Sequence, residues 1–96
     1  MRGKKKIRAA LPYLSERELW FVKIDLHRAA DAAAIGGATE AQWQEYVDLE
    51  NEVRRELDKR FPETHCPFPR AGVDGWTDAE LKEMGEMYNR IWKAKR

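Results

Sequence analysis

The sequence predicts an all-α protein, a three-helix domain built on a long antiparallel helical hairpin, with a basic extended N-terminal arm. The first reason is a helix-start signature, the capping box, in which a hydroxyl and an acid or amide accept hydrogen bonds from opposite free amides of the first turn. It occurs three times, at Ser15-x-x-Glu18, Thr39-x-x-Gln42 and Thr77-x-x-Glu80. Only four residues are Ser or Thr and three of them begin these boxes, so composition alone does not account for the pattern. The second reason is that apolar residues three or four positions apart follow each box.

The basic arm spans residues 1–14, and the single helical domain spans residues 15–96. Pro12 fixes its own φ and disfavours helical geometry in the residue before it, which predicts an extended entry into the first helix. That helix is predicted over residues 16–34, with Leu19, Val22 and Leu26 on its apolar stripe. Gly36 and the glycine after it supply the turn that ends the helix.

The second helix is predicted over residues 40–61, because Pro62 cannot continue it. A short turn joins it to the first helix, so the two helices should pack antiparallel, with large side chains of one against small side chains of the other. Residues 62–76 hold three of the four prolines and form an irregular loop. The third helix is predicted over residues 78–94, with Leu81, Met84, Tyr88 and Ile91 on its stripe.

Size and composition favour one small domain in a reducing compartment. The chain has 96 residues and a single cysteine, Cys66, which excludes an intrachain disulfide. No apolar stretch is long enough to cross a membrane, so we expect a cytoplasmic protein with no membrane partner. The net charge of +1 is unevenly distributed: the ends of the chain are basic and the residues between them are acidic.

Catalytic and metal-binding motifs are weak in this sequence. His65 and Cys66 are adjacent, but neighbouring side chains in a proline-flanked loop point apart, which does not suit a nucleophile and its base. His27 and Asp31 share one helical face, and a third ligand from Glu50 or Glu52 would make a metal site, yet a salt-bridge cluster with Lys23 is the better interpretation. The sequence therefore predicts neither an enzyme nor a cofactor or metal site.

An acidic strip on the second helix is the main candidate for protein docking. Its carboxylates are three or four residues apart and face one side of the helix: Glu45, Asp48, Glu52 and Glu56. Two tryptophans, Trp20 and Trp92, lie beside the apolar stripes rather than within them, and an exposed one would anchor a partner. The alternatives are a solvated face neutralised by Arg55 and Lys59, and tryptophans that widen the core. The strip favours an adaptor or inhibitor that docks on a larger protein or nucleoprotein complex, a description that also fits virus-encoded regulators.

The basic ends favour a second function, nucleic-acid association through phosphate contacts. The cations are Arg2, Lys4, Lys5, Lys6, Arg8, Lys93, Lys95 and Arg96. Five phosphate contacts from the arm would give log affinity against log salt a slope of about −4 to −5. A homodimer is a further alternative, because Trp20, Ile24 or Trp92 would supply apolar surface for self-association.

Overall fold

The computed structural model describes residues 4–71 and 74–94. Within those residues it is all-helical, with four α-helices packed together and no strand. The helices are α1 (Lys4–Ala10), α2 (Glu16–Ile35), α3 (Glu40–Arg60) and α4 (Asp78–Lys93), and a short 3-10 helix, Leu11–Tyr13, follows α1. The prediction of an all-α protein is thus confirmed.

The extended N-terminal arm is wrong for residues 4–13, which are helical. The physical reason is a short apolar stripe, with Ile7, Ala10, Leu11 and Leu14 all buried in the core. This spacing of three and four residues is that of an amphipathic helix, and it was present in the sequence. Pro12 is accommodated because it lies at the start of the 3-10 helix, where a missing amide proton costs no hydrogen bond. Residues 1–3 of the predicted arm lie outside the described residues.

The three capping boxes are confirmed, and each begins a long helix. At the start of α2, the Glu18 amide donates to Ser15 Oγ over 3.1 Å, and the Ser15 amide donates to Glu18 Oε1 over 2.9 Å. The same reciprocal pair joins Thr39 to Gln42 and Thr77 to Glu80. Two amides are satisfied at each start, so these helices begin where the local sequence dictates.

Helices α2 and α3 pack against each other in opposite directions. A turn with Gly37 at φ +79° joins them, and this left-handed conformation suits a residue without Cβ. At the far end, Trp20 Nε1 donates to Thr64 Oγ1 over 2.8 Å, and midway Lys23 Nζ lies 3.5 Å from Glu50 Oε2. The core between and around them includes Leu19, Val22, Leu26, Leu49, Val53 and Leu57.

The loop before α4 is ordered by aromatic packing in its described part. The ring centroid of Phe68 lies 4.4 Å from that of Phe21 and 5.4 Å from that of Trp76. Arg28 Nη1 donates to the Ala71 carbonyl over 2.5 Å, which fixes the loop backbone on α2. The loop therefore closes one side of the core and sets the position at which α4 begins.

Helix α4 buries a narrower stripe than the sequence predicts. Met84, Met87 and Ile91 are buried, whereas Leu81 is 48% exposed. The Tyr88 hydroxyl donates to Asp25 Oδ2 over 2.8 Å and joins α4 to α2. Leu81 thus lies outside the core that the other apolar residues of α4 enter.

Candidate functional site

The basic residues of α1 lie against the acidic strip of α3. Lys4 Nζ forms an ion pair with Glu45, and Arg8 Nε donates to both carboxylate oxygens of Glu52 over 2.9 and 2.7 Å. Two surfaces that the sequence assigned to separate partners are therefore in contact within one molecule. Ile7 is buried in the core, which holds α1 against the rest of the protein where Lys4 and Arg8 reach α3.

These ion pairs change the protonation behaviour of their members. Hydrogen bonding to Glu52 raises the pKa of Arg8, against the opposing effect of desolvation. The hydrogen bond from Lys4 lowers the pKa of Glu45. Both shifts favour the charged forms, so the α1 cations and their carboxylates neutralise one another near neutral pH.

The remaining carboxylates of the acidic strip have different neighbours. Glu56 Oε2 lies 3.7 Å from Arg60 Nη1 in the next turn of α3. Asp48 Oδ1 accepts from Gln44 Nε2 over 2.8 Å, and it pairs with no Lys or Arg among residues 4–71 and 74–94. Asp48 is thus the one member of the strip without a basic ion-pair partner in that part of the chain.

The other predicted phosphate contacts fall into two groups. Lys5, Lys6 and Lys93 are exposed, and Lys6 Nζ donates to the Trp92 carbonyl over 2.5 Å. That bond places α1 beside the last turn of α4, which carries Lys93. Cations that are far apart in sequence are therefore neighbours on one side of the molecule. The other predicted contacts lie outside the described residues: Arg2, Lys95 and Arg96.

The two candidate docking tryptophans have different environments. Trp20 is half-buried against the core and donates its indole proton to Thr64. Trp92 is 41% exposed, with its ring centroid 5.5 Å from that of Tyr88. Trp92 is therefore the better placed of the two to contact a partner.

The end of the α2 and α3 pair is acidic and partly apolar. We call residues 29–48 the hairpin end; it holds Asp31, Glu40, Glu45 and Asp48 and no Lys or Arg. Ile35 is 88% exposed there, and Trp43, in the first turn of α3, is 37% exposed. Glu45 and Asp48 were predicted as part of the acidic strip, but the sequence prediction did not connect them with Asp31, Ile35 and Glu40. The signal was the run without any cation, which extends from residue 29 to residue 53.

Charges at the hairpin end are only partly neutralised within the described chain. Lys4 pairs with Glu45, while Asp31 Oδ2 lies 3.6 Å from His27 Nε2. Neither Asp31 nor Glu40 pairs with a Lys or Arg in the residues that the structure describes. The hairpin end therefore presents carboxylates without a Lys or Arg partner in the described residues, together with the exposed side chain of Ile35.

The residues considered for chemistry are dispersed. Cys66 is exposed. His27 Nδ1 lies 3.2 Å from Glu50, which also pairs with Lys23, so His27 belongs to the salt-bridge cluster that the sequence suggested. Across the described ranges, no three His, Cys, Asp or Glu side chains converge on a common point where a metal ion would bind. In those same ranges no helix has the length and apolar character needed to cross a membrane.

A cleft of about 470 Å³ lies between the loop and the start of α4. Phe68 and Trp76 contribute apolar lining, and Trp76 Nε1 is buried without a hydrogen-bond partner in the described structure. The charged residues of the lining are already engaged, because Arg70 Nε lies 2.7 Å from Asp74 Oδ2 and Glu80 completes the capping box with Thr77. Chemically, the cleft offers an apolar lining rather than a reactive group.

Comparison of the chain with protein-family models, with curated proteins and with solved structures found no match.

Proposed function

We propose that this protein is a small non-catalytic binding protein, an adaptor or inhibitor, that docks on a larger protein or nucleoprotein complex through the hairpin end. The observation that carries the proposal is the pairing of exposed Ile35 with carboxylates that have no Lys or Arg partner in the described structure. The acidic strip contributes less than the sequence suggested, because Lys4 and Arg8 of α1 already pair with Glu45 and Glu52.

The chemistry of the hairpin end specifies the partner surface. Asp31, Glu40 and Asp48 favour a basic surface, and complementary charge raises association rates and excludes acidic competitors. Ile35 favours a small apolar pocket within that surface, since a buried aliphatic anchor supplies binding energy that rim charges do not. The expected partner is a protein with Lys or Arg around an apolar depression, as occurs on proteins that handle nucleic acids.

Photo-crosslinking would identify the partner. A photoreactive amino acid at position 35 should capture one predominant protein from a lysate of the source or host cell after nuclease treatment. The same amino acid at position 59, an exposed residue near the other end of α3, is the matched control and should not capture that protein. Equal capture from both positions would contradict docking through the hairpin end.

Binding of the purified partner then tests the chemistry. The variant Asp31→Asn with Glu40→Gln and Asp48→Asn should bind about tenfold more weakly or worse, with a shallower salt dependence. The control removes three carboxylates elsewhere: Asp58→Asn with Glu63→Gln and Glu86→Gln. Ile35→Ser should lose a similar amount of affinity without a change in salt dependence. If both triple variants bind alike, only net charge matters and the proposal fails.

A second candidate function is phosphate binding by the cations that α1 and α4 bring together. It is favoured by the bond from Lys6 to the Trp92 carbonyl, which brings α1, the helix that carries Lys5 and Lys6, beside the last turn of α4, which carries Lys93. Fewer cations are free than the sequence implied, because Lys4 and Arg8 already pair with carboxylates.

Binding to a short DNA duplex at low salt tests this candidate. Lys5→Ala with Lys6→Ala and Lys93→Ala should weaken binding and reduce the salt slope by about 2 to 3. The matched control, Arg54→Ala with Lys59→Ala and Lys82→Ala, has the same net charge but retains the gathered cations. Equal weakening in the two variants would reduce the effect to net charge and contradict a phosphate site.

A further inference from the structure

Helix α4 has a second apolar stripe whose two large side chains, Leu81 and Trp92, are 48% and 41% exposed in the described structure. At 100° per residue, Leu81, Gly85 and Trp92 fall within about 40° of one another around the helix axis. The buried stripe of Met84, Met87 and Ile91 is centred about 110° away from them. Leu81 and Trp92 therefore face away from the core that holds the rest of the helix in place.

Gly85 lies in the middle of this exposed stripe. A Cβ atom at Gly85 would have no neighbour within 4 Å, so no described contact within the chain calls for a glycine there. Glycine weakens the interior of a helix relative to alanine. It also permits another backbone to approach closely. A second helix crossing α4 at Gly85 would use that property.

The charged residues beside the stripe would meet opposite charges on a second copy of α4. Asp78 and Lys93 are exposed near opposite ends of α4. Both lie on the side of the stripe away from the core, about 40° and about 100° from its centre, so the long Lys93 side chain has to reach back toward the stripe. The midpoint between them and the midpoint between Leu81 and Trp92 both fall within two residues of Gly85. An antiparallel copy of the same helix would place opposite charges together at both ends of the contact.

We propose that two copies of this chain form a symmetric dimer in which their α4 helices pack antiparallel and cross near Gly85. Leu81 of each copy then packs against Trp92 of the partner subunit, and Asp78 pairs with Lys93 of the partner subunit. A second copy fits better than an unrelated helix. In α4 the two apolar residues lie at similar distances on either side of Gly85, and so do the two charged residues, so each meets its counterpart when two α4 helices cross antiparallel at Gly85.

The dimer adds to the proposed function without depending on it. The hairpin end belongs to α2 and α3, so pairing through α4 leaves Ile35 accessible and gives the assembly two hairpin ends. A partner with two basic depressions at a suitable distance would then bind with avidity.

Sedimentation equilibrium of the full chain over a wide concentration range tests the proposal. The wild type should dimerise, whereas Asp78→Lys and Lys93→Asp should each weaken self-association by about tenfold or more, because like charges then meet at both ends. An equimolar mixture of the two variants should recover dimerisation, since every Lys now meets an Asp. Circular dichroism of each variant shows whether the helices remain folded.

Two substitutions in the stripe complete the test. Gly85→Ala should raise the thermal stability of the dilute monomer and still weaken the dimer, a combination that a purely structural glycine does not predict. Leu81→Ser with Trp92→Ser should abolish the dimer while helix content is retained. A wild-type chain that stays monomeric at every concentration overturns the proposal. So does a mixture that fails to recover pairing, or a dimer that tolerates the stripe substitutions.

Discussion

Tyr88 shows how one polar side chain positions a whole helix. Its hydroxyl donates to Asp25 Oδ2 and links α4 to α2 at the border of the core. Burial raises the pKa of the Tyr88 phenol above its ordinary value of 10.0, and the neighbouring Asp25 carboxylate raises it further. The folded state therefore favours the protonated phenol, which is the form that donates.

We expect Tyr88→Phe to lower the free energy of unfolding by about 1 to 3 kcal/mol, because the bond that it removes ends on a carboxylate. Urea denaturation at neutral pH measures the loss. In an Asp25→Ala background, Tyr88→Phe should lower the free energy of unfolding by much less. An equal cost in both backgrounds would mean that ring packing, and not the hydrogen bond, explains the effect.

Alkaline pH should act through the same group. Because the pKa of Tyr88 is raised in the folded state, the unfolded chain loses this proton at lower pH. Stability from the bond is then complete below pH 10.0 and decreases as the pH rises above it. Alkaline denaturation of Tyr88→Phe should show a smaller loss over that range than the wild type, and identical alkaline profiles would contradict this assignment.

The lowered pKa of Glu18 predicts how the free energy of unfolding changes at acid pH. Burial opposes its ionisation, but the Ser15 amide, the Arg90 guanidinium and the Ser15 hydroxyl together outweigh burial and lower the pKa of Glu18. Stability from this carboxylate is therefore present above pH 4.5, its ordinary value, and decreases as the pH falls below it.

Glu18→Gln should separate the charge of Glu18 from its capping role. The amide still accepts from the Ser15 backbone, as Gln42 does for Thr39, so the loss at neutral pH should stay below about 1 kcal/mol. The decrease in stability below pH 4.5 should be shallower than in the wild type. Acid denaturation followed by circular dichroism measures this slope, and a large loss at neutral pH with an unchanged slope would contradict the argument.

At the scale of elements, local signals and long-range contacts differ in how well the sequence reveals them. The starts of α2, α3 and α4 were predictable, because a capping box joins residues three positions apart. Helix α1 was missed, since seven residues with three adjacent lysines are too short to be helical without tertiary packing. Leu81 was misplaced because sequence spacing does not reveal which side of a wide stripe the core covers.

Burial of Ile7 should therefore determine whether α1 stays folded. Ile7→Ala removes a fully buried side chain and should cost about 2 to 4 kcal/mol of unfolding free energy. Trypsin should also cleave the variant faster after Lys4, Lys5 or Lys6. Lys5→Ala, on the exposed side of the same helix, is the control and should change stability by less than about 0.5 kcal/mol. Equal protection of Ile7→Ala and the wild type would contradict docking of α1 through its apolar stripe.

At the scale of the whole molecule, composition revealed the charges but not their pairing. Four of the predicted site residues form two ion pairs with each other, Lys4 with Glu45 and Arg8 with Glu52. No local pattern shows this, because the pairs join residues 41 and 44 positions apart and form only when α1 docks. By contrast, an exposed Trp92 was one of the predicted alternatives, because the sequence spacing alone places Trp92 beside the apolar stripe of its helix.

Removing the carboxylates should release the cations of α1 for phosphate contacts. We expect Glu45→Gln with Glu52→Gln to bind a DNA duplex more tightly, with a salt slope steeper by about 2 than that of the wild type. Fluorescence anisotropy over a salt series measures both quantities. Glu63→Gln with Glu86→Gln changes the net charge equally and should leave the slope unchanged. Equal slopes in the two variants would show that Lys4 and Arg8 are not held back by their ion pairs.

The contact between Lys6 and Trp92 also has a kinetic consequence. It joins residues 86 positions apart, whereas α2 and α3 meet across a short turn. Loop closure makes distant contacts slow relative to local ones, so the helical hairpin should form first and α1 and α4 should join it later. During synthesis, α1 leaves the ribosome long before its neighbour in α4 exists. Until then, only α2 and α3 can bury Ile7 and prevent it from contacting other nascent chains.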